Sequence, residues 1–214
     1  MTIQQKAFGP SLRIPTEIPC EHAGHTPHFQ SLVSHLLQRA WECGLFPDMT
    51  KEDLKLIAVL SAYHDVGKVM FPPPLLDKPG PLSQNEFELL KTHPLWGEYL
   101  VDFALPPLQG STAHRYACEI CRWHHERWDG GGYPDGLSGT EIPRYIQVVG
   151  LADAYDALVT SRSYRPPMAH SKAASMIVGG ECGIFWPPLL DVFETQLFSI
   201  RQEIYGAAEE PSAR

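Results

Sequence analysis

The chain has no long hydrophobic run. Its longest apolar stretch, Leu56 to Leu60, falls far short of a bilayer span. Met1–Pro19 holds no apolar segment of signal-peptide length either. Positive charge is scarce: 17 Lys and Arg stand against 25 Asp and Glu, a net charge of −8 with no basic cluster. A protein that coats nucleic-acid polymers needs a basic stripe, so that class is set aside. Five cysteines, an odd number at irregular spacings, argue against a disulfide framework and suit a reducing compartment. These absences predict an acidic, soluble, cytoplasmic protein with neither a membrane nor a nucleic-acid polymer as partner.

What is present is 214 residues, 43% of them hydrophobic, enough for one domain around one sizeable core. Twenty prolines cut the chain into short pieces, and ten histidines supply an unusual stock of imidazole. Cys118 and Cys121 form a C-x-x-C, but the strand-then-helix setting of a redox motif is missing and no second pair completes a zinc site. They read as small apolar residues on one helix face.

The apolar pattern is helical nearly throughout. Leu32, Val33, Leu36, Leu37 and Ala40 recur at steps of three and four between Phe29 and Trp41. Thr50 to Asp53 resembles a capping box, opening a helix expected to run to about Asp65. The proline-rich stretch Met70–Pro81 reads as loop, Ser83–Glu86 starts another helix, and Pro94 divides it from the next, which ends near Leu105. Further helices are expected over Thr112–Glu126, from Pro143 through Asp153, over Ser171–Val178 and over Leu189–Tyr205, with the glycine-rich loop Trp128–Gly139 between the first two. No segment alternates with period two, and there is neither an internal repeat nor an interdomain linker. The expectation is an all-α, single helical-bundle domain: a lead-in at 1–20, the domain at 21–205 and a disordered tail at 206–214.

Acidic and imidazole residues sit at the expected helix ends. His64-Asp65, His93, His124-His125 and Asp153 follow one another at steps of about thirty residues, the length of two helices and two loops that bring an up-and-down chain back to the same end. Four elements can therefore deliver ligands to one place. Neutral imidazole and carboxylate suit zinc, iron or manganese. Six such groups, one able to bridge, suit a pair of ions better than a single one. His35, His114 and His170 fit no such pattern and read as surface or satisfied core residues.

These residues carry a resemblance. His64-Asp65-Val66-Gly67-Lys68, Lys78-Pro79-Gly80 and His93-Pro94-x-x-Gly97 resemble the HD superfamily of metal-dependent phosphohydrolases. His124-His125-Glu126-Arg127-Trp128-Asp129-Gly130-Gly131-Gly132-Tyr133-Pro134, with Asp153 to Leu158 and Arg162-Ser163-Tyr164-Arg165 beyond it, is similar more narrowly to the HD-GYP branch, over about Glu21 to Tyr205. Two departures are visible: Ser163 replaces the usual Pro, and Phe185-Trp186-Pro187 replaces Phe-Asp-Pro. Neither touches an implied ligand.

The resemblance implies an HD-type helical domain and a phosphodiesterase that cleaves cyclic di-GMP to pGpG, GMP or both through a metal-activated hydroxide. His25, His64, Asp65 and Asp153 would hold one divalent ion; Asp65, His93, His124 and His125 would hold a second, with Asp65 bridging. Iron or manganese is expected, with zinc, nickel or magnesium as alternatives. Lys68, Arg162 and Arg165 would meet phosphates, Asp156 would orient Lys68 or protonate the leaving oxygen, and Tyr133 would stack on a guanine or bond a phosphate. Glu21, four residues before His25, is either the ligand of a third ion or part of an irregular lead-in, because Pro27 interrupts any helix through it. The Gly-Tyr-Pro loop also implies a diguanylate-cyclase domain as a protein partner. Two other functions stand beside this one: cleavage of a different cyclic dinucleotide, and a cyclic di-GMP receptor or adaptor without turnover.

Overall fold

A computed structural model describes residues 28–104, 109–161 and 166–206. The expected site residues Glu21, His25, Arg162 and Arg165 lie outside the described residues, as do the lead-in at 1–20 and residues 207–214 of the tail.

The described chain is all-α. Its helices are α1 (Phe29–Glu42), α2 (Lys51–Leu60), α3 (Pro73–Leu76), α4 (Gln84–Leu90), α5 (His93–Ala104), α6 (Thr112–Trp123), α7 (Arg144–Val159), α8 (His170–Val178) and α9 (Pro187–Ser199). Among the described residues there is no strand, only an isolated antiparallel bridge between Asp129 and Ser138. No described helix is long and apolar enough to cross a membrane.

The local chemistry accounts for most boundaries. Thr50 and Asp53 cap α2 reciprocally, Asp53 N donating to Thr50 Oγ1 at 3.1 Å and Thr50 N to Asp53 Oδ2 at 2.8 Å. Ser83 and Glu86 do the same for α4. α1 buries Phe29, Leu32, Val33, Leu36, Leu37 and Ala40, the face its periodicity marks. α7 is buried on nearly every side, including Tyr145, Ile146, Val148, Val149, Leu151, Ala152 and Tyr155. It is the post around which α1, α6 and α8 pack.

Three expectations are corrected. α2 stops at Leu60 rather than near Asp65, and the chain tightens into 3₁₀ turns at Ser61–Tyr63 and Val66–Met70. α6 stops at Trp123 rather than Glu126. In both places a histidine takes over a carbonyl at the helix end. A short helix, α3, interrupts the expected loop, because Pro73 sits in a first turn where its fixed φ is already helical.

Glycine sets how closely the ligand-bearing pieces approach. A Cβ on Gly67 would lie 2.0 Å from the His93 carbonyl oxygen, and one on Gly150 would lie 2.5 Å from that of His124. The turn after Asp65 thus lies backbone to backbone on the start of α5, and α7 lies equally close to the end of α6.

Candidate metal centre

Four chain segments meet at the ends of α2, α5 and α6 and the middle of α7. His64, His93 and His124 are fully or almost fully buried, and Asp65 is 4% exposed. Each of these imidazoles is oriented by backbone. His64 Nδ1 meets the Ser61 carbonyl at 2.7 Å, His93 Nδ1 meets that of Leu90 at 2.9 Å, and His124 Nδ1 meets those of Ile120 and Cys121, both at 3.0 Å. A carbonyl only accepts, so each Nδ1 carries a proton and each Nε2 is turned inward.

The three Nε2 atoms converge on Asp65. Oδ1 lies 3.1 Å from His93 Nε2 and 3.7 Å from His124 Nε2. Oδ2 lies 3.5 Å from His64 Nε2 and 2.5 Å from Lys68 Nζ. His64 Nε2 is in turn 3.7 Å from Asp153 Oδ1. The ligand atoms of Asp65, His93, His124 and His125 all lie within 4.8 Å of one another. With bonds of about 2.0–2.2 Å, a first-row divalent cation spans such a set.

The electrostatics favour a cation as well. His93 Nε2 and His124 Nε2 stand 3.2 Å apart, and with both Nδ1 atoms protonated this places lone pair against lone pair unless positive charge lies between them. Burial, together with the neighbouring His64 and His93, pushes His124 down to about 4. Burial and His124 likewise hold His125 well below the usual imidazole range. Both rings are therefore neutral ligands at pH 7. Burial alone would lower His64 and raise Asp153, yet the two acids lift His64 to about 10 and His64 holds Asp153 well below the carboxylate range. The donor set fits a divalent cation.

His125 is the half-buried member of the cluster, so the centre opens on its side. Tyr133 covers that side, its ring stacked on His125 at 4.6 Å and 25°. The loop that carries Tyr133 is held by a residue that sequence reasoning missed. Glu126 is buried; its Oε1 accepts from the backbone of Asp135 and Gly136 at 2.7 and 3.1 Å, and its Oε2 from Leu137 at 3.0 Å. Asp135 also accepts from Arg122 Nε at 2.6 Å and Trp123 Nε1 at 2.7 Å. Glu126→Gln turns one acceptor edge into a donor facing those amides. Hydrogen bonds to a charged group contribute about 1.5–3 kcal/mol, so the variant should lose about 2 kcal/mol, a melting shift of about 6 °C. Calorimetry checks this, and an unchanged melting temperature refutes the anchor.

Arg127 was also missed. Its Nη1 donates to the carbonyls of His124 and Glu126 at 3.2 and 3.0 Å, its Nε to that of Cys182 at 3.1 Å, and its guanidinium lies 4.8 Å over the Phe185 ring. It ties the ligand turn to the segment before α9. There Trp186, the departure from Phe-Asp-Pro, is buried, its ring centroid 6.1 Å from that of Trp128, with its backbone N–H donating to Gln147 Oε1 at 3.1 Å. The one legible hint of Arg127 is a cation immediately after His-His-Glu.

Other expected residues fall as follows. Asp156 is fully buried and accepts from Tyr205 Oη at 2.7 Å, whereas the ion-pair partner of Lys68 is Asp65. His35, His114 and His170 meet Gln196, Asp102 and Tyr155 at 3.1, 3.1 and 2.8 Å, as satisfied residues. The Cys121 thiol is buried and donates to the Tyr63 carbonyl at 3.2 Å, while burial pushes the Cys118 thiol up to about 11. Neither is an activated thiolate.

Helices whose ends converge on buried imidazoles around a shared carboxylate define a helical domain built around a candidate divalent-metal centre. The chain belongs to the HD domain family, whose model matches residues 22–181. It is similar to a Vibrio cholerae protein named a probable cyclic di-GMP phosphodiesterase, 40% identical over 70% of this chain and 34% of that one. It is also similar to the cyclic di-GMP phosphodiesterase response regulator RpfG of Xanthomonas campestris, 32% identical over 89% of this chain and 48% of that one. The chain thus spans less than half the length of these curated relatives. Among solved structures, Bd1817, a HDG"Y"P protein from Bdellovibrio bacteriovorus, shares the fold with a TM-score of 0.54 at 22% identity, over 78% of this chain and 52% of that one.

Proposed function

We propose that this chain is a metal-dependent phosphodiesterase that hydrolyses cyclic di-GMP to pGpG, GMP or both. The observation that supports it most is the division of the Asp65 carboxylate, with Oδ1 toward His93 and His124 and Oδ2 toward His64. A carboxylate shared in this way suits two ions: one on Asp65, His93, His124 and His125, the other on Asp65, His64 and Asp153, joined by His25. When bound, such a pair supplies an activated water and positive charge against the attacked phosphodiester.

The protein's own residues do the rest. Lys68, 20% exposed beside Asp65, offers its ammonium to a phosphate oxygen at the edge of the centre. Arg162 and Arg165 would grip phosphate as planar forks. Tyr133 shields the open side and offers its ring to a base. Asp156, bonded to Tyr205, would steady the helix that carries both it and Asp153, and would orient Lys68 or protonate the leaving oxygen. A ligand set of imidazole and carboxylate without thiolate suits iron or manganese, with zinc, nickel and magnesium as alternatives. Glu21 would add a third ion, and the Gly-Tyr-Pro loop a contact for a diguanylate-cyclase domain.

The test is metal analysis of anaerobically purified protein combined with chromatography of its products from cyclic di-GMP. Two or more ions per chain, and product formation that a chelator stops, are expected. Intact cyclic di-GMP after incubation with fully metal-loaded protein would refute the enzyme reading and leave the receptor.

A further inference from the structure

A second lysine stands at the open side of the centre, and neither the metal ligands nor the phosphate contacts use it. Lys91 lies between the end of α4 and His93, and its side chain is 30% exposed. Its ammonium sits 5.4 Å from the Tyr133 ring centroid and 5.8 Å from that of Phe87. Tyr133 is the residue stacked on His125, so the ammonium is one aromatic ring removed from the accessible ligand. Phe87 is 46% exposed on a helix that buries none of its residues, so its ring serves no core.

The ammonium is only lightly held. Its partner is Glu88 at 3.1 Å, a carboxylate that is 52% exposed. Surface pairs one turn apart on a helix are worth little, so Lys91 can exchange Glu88 for a better acceptor. Two aromatic rings beside a weakly paired cation make a site for a flat ring with acceptors along one edge. Guanine presents N7 and O6 as adjacent acceptors, whereas adenine presents N7 beside an N6 donor.

We propose that Lys91, flanked by Phe87 and Tyr133, reads a guanine base of the substrate and is a specificity-determining residue of this site. The inference rests on the cyclic dinucleotide reading above. It assigns the base to the Lys91 side of Tyr133, with Phe87 as stacking platform and the ammonium on the N7/O6 edge.

Affinity rather than turnover tests it. Dissociation constants are measured on the metal-loaded protein with hydrolysis-resistant phosphorothioate forms of cyclic di-GMP and cyclic di-AMP. Lys91→Met should weaken the guanine compound about tenfold, or 1.4 kcal/mol, and the adenine compound less than twofold, with metal content unchanged. Lys91→Arg, which keeps a cation able to reach N7 and O6, should retain the preference. Phe87→Ala should weaken both compounds about equally. Equal loss on both compounds in Lys91→Met would mean that the ammonium meets a phosphate, and no loss would mean that it meets no ligand; either result overturns the proposal, as does loss of metal. A wild type that binds both compounds but leaves native cyclic di-GMP intact would refute the enzyme reading alone, and the same affinities would still decide on Lys91. A wild type that binds neither overturns both.

Discussion

Asp65→Ala is expected to yield a helical protein that has lost most of its bound metal and more than nine-tenths of its turnover. Asp65 is the carboxylate reached by all three backbone-oriented imidazoles, His64, His93 and His124, and by the Lys68 ammonium. Removing it takes one ligand from each half of the centre and the negative charge that lies against both His93 and His124. The helices do not depend on it, since α2 has already ended at Leu60 and its cap is at Thr50. Metal analysis, far-ultraviolet circular dichroism and product formation should therefore separate, with the first and last collapsing while the second holds. Asp65→Asn keeps the volume but halves the usable oxygens, so it should retain one ion at most. Activity above a tenth of wild type, a loss of less than 1.4 kcal/mol in the barrier, would sink the shared-carboxylate arrangement.

The helices were legible because their apolar faces repeat at three and four, and α1 buries the very residues that its spacing marks. The cluster was legible because His64-Asp65, His93, His124-His125 and Asp153 recur once per return of the chain. Helix ends were not. Ser61–Tyr63 and Trp123 are places where helix-compatible sequence gives way to a side-chain bond from His64 or His124 to a carbonyl, and local propensity carries no trace of that competition. Glu126 was hidden for a related reason. Its partners are three backbone N–H groups nine to eleven residues ahead, and backbone donors leave no residue-type signature. Asp156 and Tyr205 meet across 49 residues, so sequence spacing could suggest that Asp156 serves Lys68 but not that Tyr205 holds it.

Gly67→Ala is expected to be far more damaging to fold and metal centre than Gly97→Ala. Gly67 has no positive φ, so the requirement is one of space and not of backbone conformation. An added Cβ would sit 2.0 Å from the His93 carbonyl oxygen and 2.5 Å from Gly97 N. Both are backbone atoms, so no flexible side chain can swing aside and the turn after Asp65 must lift off α5 by an ångström or more. Asp65 is two residues before this contact and His93 supplies it, so the lift opens the 3.1 Å approach between Oδ1 and Nε2. Overpacking of this kind costs up to about 3 kcal/mol or more, which for a chain of this length lowers the melting temperature by about 9 °C, and metal content should fall with it. Gly97→Ala is the graded control: its Cβ would meet Cys121 Cβ at 3.1 Å and Gly67 N at 3.5 Å, so a few tenths of an ångström suffice. The test is the order of the two melting temperatures and of the two metal contents. If Gly67→Ala is no worse than Gly97→Ala in both, the turn yields freely and the close backbone approach does not set the geometry of the centre.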